Sequence, residues 1–315
     1  MKVTVVGASG LIGTRLSEKL RRSGHDVAAA SLSLGVDTVT GKGLDLAMAG
    51  TEVVVDVTNA ASFGDSSALD FFKASTKNLL AAAAQAGIRH YLALSVVGTP
   101  RLVESDYFRA KMVQENLIRA SGRPYTILRS TQFYEFINGL IDIGAEGNVF
   151  RLPSAFMRPV AAGDVAAFLA ELAVGAPSGD VVEIGGPEQF GIDEIARIYL
   201  AANEDERQVI TDRSTSYFGV ELTDDALIPG AGARGAPDAF RLALPIDGGV
   251  GRAAFLPAAR RLKIDPPQNF HPAAIRTLKG SPQSLNRDER GFQGLPPERL
   301  AAGMSEHIPC RLSSV

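Results

Sequence analysis

A chain of 315 residues, 45% hydrophobic and 21% charged, has ordinary globular composition and is long enough for one large α/β domain or two small ones. Its net charge of −3 gives no basic footprint for nucleic acid or an acidic membrane, and its single cysteine, Cys310, leaves no disulfide framework and no cysteine metal site. No apolar run nears the ~18 residues of a spanning helix, and the apolar stretch before Gly7 is too short for a secretory signal, so a cytoplasmic protein is expected.

Residues 3–6 form a continuous apolar run, read as a buried strand. A helix is expected over 11–22, with Leu11, Ile12, Leu16 and Leu20 near one face and Gly24 as its stop. A second strand follows over 26–31, then a short third strand before Asp37. Another buried strand covers 52–57, and a long helix covers 65–86, ended by Gly87. A strand over 88–94, a helix over 106–121 and a strand over 124–128 come next. Segments 164–174, 180–184 and 192–202 continue the alternation, with Asp164 as an expected helix N-cap. His25 and His90 precede strands without metal-spaced partners, so no metal site is expected. Apolar strands alternating with helices imply an α/β, doubly wound parallel sheet with right-handed crossovers.

Gly7-Ala8-Ser9-Gly10-Leu11-Ile12-Gly13 lies where the first strand turns into the first helix. Gly7 permits the tight turn, Gly10 lets backbone approach a pyrophosphate, and Gly13 lets helix and strand pack closely. The N–H groups around Ser9, Leu11 and Ile12, at the positive end of the helix, then face the phosphates. A dinucleotide, NAD(H) or NADP(H), is the expected cofactor. The second strand ends Ala29-Ala30-Ser31-Leu32-Ser33, without the acidic residue that NAD usually needs. Ser31 and Ser33 can take a 2′-phosphate, with Arg15 the nearest cation, so NADP is favoured and NAD stays possible. Asp37 is placed either near the adenine or in a turn, and Thr58 and Asn59 in a loop beside the cofactor.

Tyr107 and Lys111 stand four apart on one helix face, twelve residues after Ser95 at the end of a strand. An ammonium beside a phenol lowers its pKa from ~10. Tyr107 can then give a proton to a carbonyl oxygen held by Ser95, with Lys111 also on the ribose. The alternative is a surface pair in which Lys111 bridges Glu115.

With these residues the chain resembles the short-chain dehydrogenase/reductase superfamily, in its atypical NmrA-like branch of NAD(P)H-binding oxidoreductases with a Rossmann fold. The resemblance covers about residues 1–230. It rests on the glycine segment, Asp56-Val57-Thr58-Asn59, Thr76-Lys77-Asn78-Leu79-Leu80, Leu94-Ser95-Val96-Val97-Gly98, Tyr107 with Lys111, and Pro124-Tyr125-Thr126-Ile127-Leu128-Arg129. It implies catalytic roles for Ser95, Tyr107 and Lys111. It implies reduction of a small carbonyl or quinone-like acceptor, or nucleotide sensing without turnover. An isomerase or epimerase on the same scaffold is the third reading. The missing arginine after the second strand departs from the NADP-binding pattern.

Gln132, Phe133 and Phe136 follow the strand over 124–128 and either line an apolar pocket for a flat acceptor or belong to a core helix. The expected division is a nucleotide domain over 1–231, with substrate-side elements forming a small lobe from about residue 130. The only partner expected is a small-molecule substrate, with a monomer or homodimer as the assembly. Residues 232–315 are net basic, hold ten of the 17 prolines and lose both periodicities, so they read as a disordered tail. An out-of-frame extension is the other reading: one codon choice for residues 239–246 gives Pro-Phe-Asp-Trp-Leu-Ser-Arg one nucleotide later. Sequencing the gene separates the two.

Overall fold

The computed structural model describes residues 1–61 and 66–238, so both readings of the tail concern a segment that lies, from 239 on, outside the described residues. Seven strands form one parallel sheet: β1 (Lys2–Val6), β2 (Asp26–Ala30), β3 (Val53–Asp56), β4 (His90–Val96), β5 (Tyr125–Ser130), β9 (Val181–Gly185) and β12 (Arg234–Gly235). Their order is β12-β9-β5-β4-β3-β1-β2, every pair parallel. The chain leaves β1 toward β2 and then crosses back to β3 on its other side. The order therefore reverses at β1, which opens a crevice at the carboxyl ends of β1 and β3.

Alternation along the strands feeds two cores. Val3, Val5, Val53 and Val55 pack with Leu16 and Leu20 of α1 (Leu11–Arg22) and Val165 and Leu169 of α6 (Ala162–Val174). Val6, Val54, Tyr91 and Ala93 face the other way, toward Leu79 and Ala83 of α3 (Ser66–Gln85) and Ile118 of α4 (Asp106–Ala120). Each fully buried leucine here contributes about 1.5–3 kcal/mol. A smaller core holds α5 (Ile137–Asp142), α7 (Ile192–Ala202), the paired strands β8 (Phe156–Met157) and β10 (Phe190–Gly191), and a sheet of β6 (Ala145–Glu146), β7 (Val149–Leu152) and β11 (Gln208–Thr211). Phe150, Met157, Ile195, Tyr217 and Leu227 fill it. The short helix α2 (Leu44–Met48) carries no sequence signal strong enough to have been expected.

Several boundaries depart from expectation. The short strand expected between β2 and Asp37 is not formed; Leu32–Leu34 is a single 3-10 turn closed by Gly35 in the left-handed region. β4 begins at His90 because Ile88 is still closing α3, its N–H on the Ala83 carbonyl beyond left-handed Gly87. Asp164 is not an N-cap: α6 starts after Ala161, and the Glu135 carboxylate accepts the Ala162 N–H from outside the helix. Among the described residues no helix is long and apolar enough to cross a membrane, and no cluster of His, Cys, Asp and Glu suits a metal ion.

His90 is fully buried, with Nε2 3.0 Å from the Thr126 hydroxyl, and burial pushes its pKa down to about 4. The folded protein keeps this ring neutral while the unfolded chain protonates near 6.5. Stability from His90 is therefore full above that value, falls as the pH drops, and levels off near 4. The loss reaches roughly 3 kcal/mol. Thermal melts at pH 7.5 and 5 should show it, and His90→Gln should flatten that pH dependence.

Candidate functional site

The glycine turn is built to admit a ligand backbone-first. Gly7 has φ +87°, and a Cβ on it would meet the Val57 carbonyl carbon at 2.9 Å. A Cβ on Gly13 would sit 2.2 Å from the Gly7 oxygen. A Cβ on Gly10 meets only the Gly7 oxygen, at 3.3 Å, so its outer face is open. Gly10 caps α1 without a side-chain bond, and the first turn of the helix holds no acidic residue. The first amides of α1, at Leu11, Ile12 and Gly13, have no partner within the helix and present positive dipole beside exposed Ser9. These residues fit the pyrophosphate of a dinucleotide.

At the end of β2, Ser31 is 7% exposed and its hydroxyl lies 3.0 Å from that of Ser33. Arg15 is exposed and donates to the Leu11 carbonyl at 3.0 Å, one turn inside α1. Asp37 sits in a turn. Its oxygens accept from the Val39 amide at 2.9 Å and the Thr40 hydroxyl at 2.8 Å, bonds that hold its carboxyl below the usual range.

The loop after β3 hangs from a buried carboxylate. Asp56 is fully buried and accepts four donors: the Thr58 amide at 3.0 Å, the Thr58 hydroxyl at 2.7 Å, the Tyr91 hydroxyl at 3.0 Å and Gln114 Nε2 at 3.1 Å. Thr58 is thereby fixed beside the crevice, and Asn59 follows it. The Asn59 side-chain oxygen accepts the Tyr107 hydroxyl at 3.4 Å.

Tyr107 and Lys111 share a face of α4 but part company at their tips. Lys111 is 3% exposed; its Nζ donates to the Leu94 carbonyl at 2.8 Å and to Gln114 Oε1, and lies 4.5 Å from the Phe72 ring centre. Burial pulls its pKa down to about 8, while Asp56 and Glu115 oppose that shift. Tyr107 is half-buried, and its pKa is pushed up to about 12 by burial, against the Asn59 bond. The expected lowering of the phenol pKa by the lysine is absent, because the ammonium is directed to Leu94 and Gln114. Ser95 lies on the same face of β4 as Tyr91 and Ala93, and donates to Glu115 Oε1 of α4 at 2.7 Å. Tyr107 and Asn59 thus meet at the crevice, while Ser95 and Lys111 reach into the layer between the sheet and α3 and α4.

A family model described as NAD(P)H-binding matches residues 7–174, more than half of the chain. The chain belongs to the NAD(P)H-binding family. Solved structures share its fold. A UDP-glucose 4-epimerase from Thermus thermophilus, complexed with NAD, superposes at TM-score 0.56 with 18% identity, over 72% of this chain and 92% of its own. A dTDP-4-dehydrorhamnose reductase from Bacillus anthracis str. Ames, complexed with NADP, gives TM-score 0.56 and 14% identity, over 70% and 87%. Comparison with curated proteins found no match. As a member of the family the chain has a nicotinamide cofactor site.

In this NAD(P)H-binding protein the segment after β5 is neither strand nor long helix. Tyr134–Phe136 is a 3-10 turn leading into α5. The Phe133 and Phe136 rings lie 5.9 Å apart, and Phe133 bridges to Val160. The polar atoms of Gln132 are buried without a hydrogen bond of normal geometry, next to the Tyr217 hydroxyl. Sequence reasoning missed Tyr217 and Phe218 altogether. Phe218 stacks on the Tyr107 ring at 5.8 Å, and Tyr217 packs edge-on against Phe218 at 4.7 Å. The aromatic pair before Gly219 was the one available signal.

Proposed function

We propose that the protein is an NAD(P)H-dependent oxidoreductase that passes hydride to a small carbonyl or quinone-like acceptor, with Tyr107 as proton donor. The observation that carries this reading is the junction of Tyr107 with Asn59, on the loop that leaves β3 beside the switch point at β1. When bound, the reduced nicotinamide supplies the hydride to the electrophilic carbon of the acceptor. Gly7, Gly10 and Gly13, with the amides around Ser9, Leu11 and Ile12, hold the pyrophosphate. Thr58 and Asn59 bound the crevice above β3. The Tyr107 hydroxyl gives its proton to the acceptor oxygen as negative charge builds there, and solvent returns it. A phenol near 12 is a weak acid but remains protonated throughout the working range, which suits a donor in the reductive direction. Lys111 and Ser95 act from behind, steadying the Leu94 carbonyl and the end of β4. Gln132, Phe133 and Phe136 supply the acceptor wall.

NADP is the preferred cofactor in this reading, because Ala30-Ser31 ends β2 without a carboxylate to repel a 2′-phosphate. Calorimetric titration with NADP, NADPH, NAD and NADH tests that choice; tighter binding of the non-phosphorylated pair would reverse it. For the chemistry, NADPH consumption is followed with a panel of quinones and carbonyls. Tyr107→Phe should cut kcat by about a hundredfold or more at unchanged cofactor affinity. An unchanged rate removes Tyr107 from the reaction.

A further inference from the structure

Phe218 stands out among the described residues as one of two non-glycine residues with positive φ, at +49°. It begins a two-residue reversal with Gly219, φ +85°, between Tyr217 and Val220, which form an antiparallel bridge. The Tyr217 amide donates to the Val220 carbonyl at 2.7 Å, and the Val220 amide returns a bond at 3.2 Å. Two successive left-handed residues mark a type I′ turn, a place where Asn or Gly is preferred and a bulky aromatic is costly. Strain of this sort persists only where the surroundings over-determine it, and it gathers at functional sites. Here the surroundings are rings. Phe218 lies on the face of Tyr107 at 5.8 Å and 29°, and edge-on to Phe108 at 6.4 Å and 77°. Tyr217, 4% exposed, anchors the turn from the inside.

We propose that Phe218 is a positioning residue for Tyr107: the left-handed turn at 217–220 exists to lay a ring on the Tyr107 face, fixing that side chain with its hydroxyl toward Asn59. This deepens the assignment of Tyr107 as proton donor and rests on it. The stacked face is then closed to the acceptor, which must approach the hydroxyl end. A side chain free to turn about χ1 and χ2 would hold its proton out of line for most of its time, and a displacement of about 1 Å at a reacting group costs up to a hundredfold in rate.

The test compares Phe218→Gly, which suits the backbone and deletes the ring, with Phe218→Tyr, which keeps the ring. Thermal melting, NADPH-dependent reduction of menadione, and ultraviolet titration of the tyrosines are measured on the full chain, with Tyr107→Phe identifying the Tyr107 contribution to the titration. Phe218→Gly should melt within a few degrees of the parent, lose about tenfold in kcat with KM changed less than threefold, and bring the Tyr107 titration down from about 12 toward 10. Phe218→Tyr should restore kcat; it is left out of the titration because it adds a phenol of its own. An unmoved Tyr107 titration, or parental kcat in Phe218→Gly, overturns the proposal. If Tyr107→Phe keeps full activity, the proton-donor assignment fails by itself, and the titration of Phe218→Gly still decides whether Phe218 holds the ring.

Discussion

Gly13→Val should abolish NADPH binding and lower the melting temperature by roughly 6–12 °C. The nearest obstacle to any side chain at 13 is backbone, the Gly7 oxygen at 2.2 Å and the Ala8 Cα at 2.7 Å, so no rotamer change relieves it. Either α1 lifts from β1 or the turn at Gly7 opens. Lifting α1 disturbs Leu16 and Leu20, both essentially unexposed against the sheet. Overpacking of a close-packed core costs 1–3 kcal/mol and more where backbone must move, so we expect about 3 kcal/mol here. For a domain of this size that converts at about 2–4 °C per kcal/mol. Opening the turn also misaligns the amides proposed to receive the pyrophosphate. The parental protein at a hundredfold excess of NADPH over its Kd gains ~2.7 kcal/mol of apparent stability, and the variant should gain none. Gly10→Ala is the informative neighbour. Its Cβ has only a 3.3 Å contact with the Gly7 oxygen, so the fold survives while the pyrophosphate loses its close approach. Melting curves with and without NADPH measure both effects. A Gly13→Val protein that melts with the parent and responds equally to NADPH would sink this account of the turn.

That turn was readable in the sequence because all its determinants are local: one strand, three glycines, one helix. The same holds for the alternating strands, whose existence was clear even where β4 starts two residues later than its apolar run. The side chains of the site were readable only as far as their own element reaches. Spacing placed Tyr107 and Lys111 on one face of α4. It could not reveal that Leu94, Gln114 and Phe72 would draw the ammonium away, since two of these come from other elements. Ser95 was correctly seen at a strand end, but its direction depends on strand parity: odd positions of β4 face α3 and α4, and Ser95 meets Glu115 there. Asp56 gave no sign of its four donors, three of which lie on Thr58 and Tyr91. Phe218 meets Tyr107 across more than a hundred residues, a contact fixed by the smaller core and by no periodicity.

Position 115 follows from the same logic. Glu115→Ala should destabilise the protein by about 3–5 kcal/mol, through the arginine it leaves behind more than through the carboxylate it removes. The Glu115 side chain is 1% exposed. Its Oε1 accepts Ser95 Oγ at 2.7 Å and Arg129 Nε at 2.9 Å, and its Oε2 accepts Arg129 Nη2 at 2.6 Å and Arg119 Nη2 at 2.8 Å. The Arg129 side chain is only 11% exposed, and its one other carboxylate partner among the described residues, Glu183, lies 3.8 Å away. Breaking a buried pair on one side costs about 3–5 kcal/mol, whereas replacing both partners with apolar residues is often nearly neutral. Glu115→Leu combined with Arg129→Met should therefore recover most of what Glu115→Ala loses. Burial alone would raise the Glu115 pKa, yet the bonds from Arg129 and Ser95 and the nearby guanidinium charges carry it below its ordinary value. Its contribution is thus present above the unfolded carboxylate value, ~4.3, and disappears as the pH falls through the lower folded value. Melts from about pH 7 down to about pH 3 on parent, Glu115→Ala and the double variant read all three quantities, with the parent converging on Glu115→Ala at the acid end. A single variant that costs under about 1 kcal/mol, or a double variant no better than the single, would mean that the Glu115–Arg129 pair does not hold β4, α4 and β5 together beneath Tyr107.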